Sequence, residues 1–106
     1  MVIFLIGFTF IPDTFGITVP VNIPMGAALV KNYEPSTVKI EIGDTIKWTV
    51  FDKGNNIRHT VTSDLGLFDS GSMTRSPPPA QPPTFTLTFN EGGIYNYHCK
   101  IHSWMT

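Results

Sequence analysis

The sequence predicts an all-β domain, a two-sheet β-sandwich, on three observations. Short segments alternate apolar and polar residues with the period of a strand, turns rich in Gly and Pro separate them, and no window combines a helical period with capping residues. A chain of 106 residues with 42% apolar content suits one domain that buries its own core. Strands that are wet on one face bury the other by stacking two sheets together.

Each element can be justified in turn. Residues 2–11, VIFLIGFTFI, form an apolar run too short for a membrane-spanning helix and of the length of a signal-peptide core. Thr14 and Gly16 offer small residues before a cleavage point, although no Lys or Arg precedes the run. We therefore expect residues 1–16 to be a signal peptide or N-terminal extension and residues 17–106 to be the domain. The other reading of the run is a buried N-terminal strand.

Residues 17–23, ITVPVNI, alternate and contain Pro20, which suits an edge strand. Residues 33–36 have turn chemistry. Val38, Ile40 and Ile42 then alternate with Lys39 and Glu41, Gly43 and Asp44 turn the chain, and Ile46, Trp48 and Val50 repeat the alternation, predicting a hairpin-like pair. Residues 52–56 read as a loop that delivers the chain into a β-branched run around His59.

Residues 63–76 alternate poorly, with short strand pieces at most around Leu67 and Phe68. PPPAQPP at 77–83 cannot donate a ladder of hydrogen bonds and reads as a stiff polyproline II connector rather than a recognition motif. Residues 85–89, FTLTF, form a clean strand, 90–93 a turn, and Ile94 begins the last strand.

The chemistry concentrates at the end of that strand, where Cys99, His102 and Met105 fall as C-x2-H-x2-M. Strand side chains alternate faces, so a turn must begin at Cys99 for the three to converge. Tyr95, Tyr97 and Cys99 share one parity, which puts the sulfur at the edge of the core. His59 is the candidate for a second nitrogen. Two His, one Cys and a weak Met form a set that selects a mononuclear electron-transfer copper, since thiolate and thioether favour Cu(I) while imidazole accommodates Cu(II). Cys99 is the only cysteine, so no internal disulfide competes for it.

Together with YEP at 33–35, VKIEIGDTIKW at 38–48, HTVT at 59–62, LFDSG at 67–71 and GIYNYHCKIHSWM at 93–105, these residues resemble the cupredoxins, the blue copper proteins of the plastocyanin and amicyanin kind. The resemblance covers residues 22–105. It implies a Greek-key sandwich, one copper ion cycling between Cu(I) and Cu(II), His59, Cys99 and His102 as equatorial ligands, and Met105 as axial ligand. It also implies a one-electron carrier rather than an enzyme, in an extracytoplasmic setting. Cupredoxins normally continue their last strand past the axial ligand, so an end at Thr106 raises the expectation of a truncated C-terminus.

His98 has the opposite parity to Cys99 and is expected to be a bystander, and Met25 and Met73 to be core or loop residues. The net charge is −1, which leaves no basic footprint for nucleic acid or anionic lipid. An N-terminal anchor would be the one route to a membrane. The expected partners are redox proteins that meet a monomer at an apolar patch near His102, built from Ile101, Trp104 and the proline run. Two other functions use the same residues: a copper protein with an open axial position that binds or converts a small ligand such as nitric oxide, and a copper storage or delivery protein. Three His in total are too few for a second copper cluster.

Overall fold

The computed structural model describes residues 2–6, 16–24, 32–52, 57–76, 79–102 and 105–106, with only the backbone course for 4–6. Among the described residues every regular element is a strand: β1 (Val2–Ile6), β2 (Thr18–Ile23), β3 (Thr37–Glu41), β4 (Thr45–Val50), β5 (Arg58–His59), β6 (Thr62–Ser63), β7 (Met73–Thr74), β8 (Thr84–Thr88) and β9 (Gly93–His98). One main sheet runs β3-β1-β9-β6 and the other β2-β4-β8, with β5 and β7 as a separate pair. The all-β, two-sheet expectation holds.

The sequence's alternation gives the two inner faces directly. β3 buries Val38 and Ile40, β4 buries Ile46, Trp48 and Val50, and β2 buries Val21 and Ile23. Among the described strands β2 pairs with β4, in parallel, and its other side carries just the Asn22–Glu34 bridge, so Pro20 lies on a sheet edge as its missing N–H requires. At the centre, Trp48 is fully buried and donates its indole N–H to the Tyr97 hydroxyl at 3.0 Å. Tyr33 and Tyr97 meet edge to face at 4.8 Å, and Phe68 and Phe85 flank Trp48. One aromatic cluster therefore joins the sheets.

The expected hairpin of residues 38–50 is corrected. β3 pairs with β1 in one sheet, whereas β4 pairs with β2 and β8 in the other. The turn between them is an arch from sheet to sheet. Gly43 supplies a φ of 96°, which a side chain would resist. The Asp44 carboxylate accepts from the Ile17 and Glu41 amides at 3.0 Å each. Backbone bonds from Gly43 to Phe89 and from Phe89 to Asp44 tie the arch to the end of β8. Alternation reports which face a residue occupies, not which strand lies beside it.

Two further segments have a defined place. Residues 2–6 of the apolar run lie as β1 between β3 (parallel) and β9 (antiparallel), with Ile3 fully buried. Residues 7–15 lie outside the described residues. Within 63–76 the strand residues are Ser63, which ends β6, and Met73–Thr74, which pair with β5, while Leu67 sits in a bend and is exposed.

Candidate metal centre

Three segments bring the predicted donors to one end of the sandwich. β5 carries His59 into full burial, β9 ends at His98 just before the buried Cys99, and the turn after it presents His102. The turn is closed by two backbone bonds: the Met105 amide donates to the His102 carbonyl at 2.8 Å, and the Cys99 amide donates to the Met105 carbonyl at 3.1 Å. His102 Nδ1 lies 3.7 Å from Cys99 Sγ, and the His59 and His102 rings are 5.3 Å apart. One ligand atom from each of His59, Cys99 and His102 lies within 4.8 Å of the others.

The two nitrogens of His59 have different surroundings. Nε2 is 2.9 Å from the Asp52 carboxylate, itself buried, whereas the buried Nδ1 makes no hydrogen bond. An orphaned imidazole nitrogen in a dry interior is costly unless it binds something. The Asp52 bond fixes Nε2 as the protonated nitrogen, leaving the Nδ1 lone pair for a metal, an arrangement common to metal-binding histidines.

The sulfur is prepared for the same task. Burial alone would push the Cys99 thiol up, but interactions with His59, the Thr60 amide and the amides of His102 and Ile101 outweigh it and bring the thiol down to about 6. The Thr60 amide donates to Sγ at 3.3 Å. His59 shows the reciprocal effect: burial disfavours its charged form, yet Cys99 and Asp52 outweigh burial and raise it. The two shifts run the same way, favouring negative charge on Cys99 and positive charge on His59.

The sequence-predicted donors His59, Cys99 and His102 thus come together. Met105 is fully buried and forms part of the same turn through its backbone. His98 stands apart from the cluster, partly exposed and bonded to Asp64. Met73 is a core residue, as expected, and lies directly opposite His59 in the β5–β7 pair. Trp104, Met25 and the start of the proline run lie outside the described residues. Sequence reasoning missed Asp52, which reads as one more acidic residue of a polar loop. It also missed Thr60, whose only signal was its place beside His59.

A buried sulfur and two imidazoles define a site for a soft to borderline metal. Donors about 3.5–3.8 Å apart are what a trigonal ion with bonds of about 2.0 Å to nitrogen and 2.3 Å to sulfur requires. The 3.7 Å separation of His102 Nδ1 and Cys99 Sγ falls in that range. A two-sheet sandwich with such a donor cluster is an architecture suited to binding copper.

Comparison with known proteins agrees. No family model matches the chain. It is 28% identical over 99 residues to amicyanin from Paracoccus denitrificans, covering 83% of this chain and 72% of that protein. It is also 30% identical to the solved structure of a novel purple cupredoxin from Nitrosopumilus maritimus, with a TM-score of 0.61 over 82% of this chain and 92% of the other. The chain belongs to the cupredoxin family.

Proposed function

We propose that this protein holds one copper ion between His59, Cys99, His102 and Met105 and passes single electrons to and from other redox proteins. The observation that carries the reading is the buried, unpartnered Nδ1 of His59 grouped with the Cys99 sulfur and a His102 nitrogen. The copper supplies a one-electron couple between Cu(I) and Cu(II), and the protein supplies a site that suits both.

The residues have separable tasks. Asp52 keeps His59 in the metal-binding tautomer. The Thr60 amide stabilises negative charge on Cys99 Sγ. The bonds between Cys99, His102 and Met105 fix the turn, so that little has to move when the charge at the centre changes. Burial of His59, Cys99 and Met105 keeps bulk water away. His102 is only partly buried, which makes its imidazole edge the natural exit for electrons. The patch for partners is proposed around it, with partly buried Ile101 as a described member.

We also infer an extracytoplasmic setting, from the apolar run at 2–11 and a lone thiol suited to metal rather than to a disulfide. N-terminal sequencing of the protein from its host separates removal of residues 1–16 from retention of β1.

Titration of the apoprotein with Cu(II) tests the central reading. One equivalent should produce an intense thiolate-to-copper absorption, and Cys99→Ser should abolish the colour while keeping the β-sheet circular dichroism. Persistent colour in the serine variant would end the proposal.

A further inference from the structure

The segment that carries Cys99 is held from outside the metal cluster by a closed chain of hydrogen bonds. The Lys100 amide donates to Thr60 Oγ1 at 2.9 Å, Thr60 and Thr62 share a bond of 2.8 Å between their hydroxyls, and the Thr62 hydroxyl donates to Asp69 Oδ1 at 3.1 Å. Asp69 Oδ2 then accepts from Lys100 Nζ at 2.6 Å, returning the chain to the residue where it began. The Gly71 amide also donates to Asp69 Oδ1, at 2.9 Å, which orients the carboxylate from its own turn.

The donors have only one consistent assignment. A hydroxyl carries one proton, and that of Thr62 is given to Asp69, so the bond between the threonines must be donated by Thr60. Thr60 Oγ1 is then free to accept from the Lys100 amide. The three bonds from the Lys100 amide through Thr60 and Thr62 run in one sense to the Asp69 carboxylate, the arrangement in which each bond polarises the next, and the Lys100 ammonium meets that carboxylate from the other side. Thr60 also gives its own amide to Cys99 Sγ. It therefore holds the sulfur with its backbone and the next peptide with its side chain.

We propose that Asp69, which touches none of the predicted ligands, is a positioning residue for the Cys99–Lys100 segment, acting through Thr62 and Thr60. Its pairing with Lys100 is exposed on both sides, 40% for Asp69 and 51% for Lys100, so as an isolated ion pair it would contribute little to stability. Its role is registry: it anchors the far end of a chain whose near end sets the peptide after the sulfur. The same exposure makes the pair a handle by which a docked partner's charge could act on the thiolate. That consequence rests on the copper reading above, whereas the positioning role is readable without metal.

Amide hydrogen exchange at Lys100, measured by NMR in the apoprotein, tests the inference directly. Asp69→Asn and Thr62→Val should each accelerate exchange of that amide about threefold to tenfold, as expected for the loss of about one net hydrogen bond. The double variant should add little to either single change, because both break one chain. Thr60→Val should have the largest effect and Thr60→Ser should restore protection. In the Cu(II) form, Asp69→Asn should shift the thiolate-to-copper band, a readout that a loss of stability elsewhere would not move. Unchanged Lys100 exchange in Asp69→Asn and Thr62→Val, alongside acceleration in Thr60→Val, would overturn the role of Asp69. Absence of a coloured wild-type complex would overturn the copper reading and leave the exchange result to decide the positioning.

Discussion

The Asp52 carboxylate meets His59 Nε2 at 2.9 Å with both side chains buried, so the most deeply held imidazole of the site carries a negative partner on its far side. A carboxylate there favours the more positive metal state. Asp52→Asn, which retains an acceptor but not the charge, should raise the reduction potential and weaken Cu(II) binding, with about 10- to 100-fold in affinity as the scale for such partners. Voltammetry and competition with a chelator would measure both. Unchanged values would show that the pair only fills space.

The apoprotein thiol should titrate far below an ordinary cysteine. With Cys99 lowered to about 6, ultraviolet thiolate absorbance should appear with that midpoint in the folded protein and near 9.0 after denaturation. The sign for stability follows from both partners. A depressed Cys99 stabilises the folded state above the unfolded value and loses that contribution as pH falls through about 6. A raised His59 contributes fully below 6.5 and loses its contribution as pH rises through its folded value. Across neutral pH the two slopes oppose each other, so apoprotein stability should change less there than the Cys99 shift alone would make it. A folded thiol titrating near 9.0 would contradict the lowering of Cys99 by His59 and the neighbouring amides.

His59 and His102 should respond differently to deletion. His102 is partly exposed and sits on the terminal turn, whereas His59 is fully buried and tied to Asp52. His102→Gly should open a position that added imidazole fills, restoring colour in the Cu(II) form. His59→Gly should resist rescue, because imidazole would have to enter the core and replace the Asp52 bond as well. Equal rescue of both variants would place the exit route elsewhere.

Met105 tests the fourth donor. If its thioether touches the metal, Met105→Leu should raise the reduction potential by several tens of millivolts, since a tenfold change in relative binding is about 59 mV for one electron. Met105→Gln, with a harder oxygen, should lower it. If neither moves the potential and azide perturbs the wild-type spectrum, the axial position is open to small ligands.

A core test is independent of metal. Tyr97→Phe removes the acceptor of the buried Trp48 indole N–H, an unsatisfied donor that costs about 1–3 kcal/mol. Thermal unfolding should shift down by about 4–8 °C for each kcal/mol in a domain of this size. No shift would mean that Trp48 finds another partner.

The sequence made legible whatever depends on local period. Val38, Ile40, Ile46, Trp48 and Val50 were assigned inward by alternation and are buried, whereas Ile42, the third residue of the β3 series, lies in the turn past the strand and is exposed. Cys99 was placed at the core's edge by its parity with Tyr95 and Tyr97, and the spacing to His102 required the turn that forms. What depends on pairing at long range was not legible. β3 and β4 read as a hairpin because nothing local distinguishes a turn within one sheet from an arch between two. Asp52 reads as a solvated loop acid because its partner lies seven positions away in the neighbouring segment, at no spacing peculiar to a strand. The chain from Lys100 to Asp69 unites residues 31 positions apart, and only the folded backbone brings them together.

Because Tyr97 belongs to β9, and Cys99 follows it two positions later on the same face, the ring that receives the Trp48 N–H and the sulfur that would bind metal are rigidly coupled. A slip of β9 along its axis, or a void beneath Tyr97, displaces the sulfur by a comparable amount. The hue of the copper form would then act as a gauge of packing in the interior. Libraries of variants at Trp48, Phe68 or Tyr33 could be sorted by eye, each colony reporting through its tint how faithfully the sandwich beneath the metal has been rebuilt.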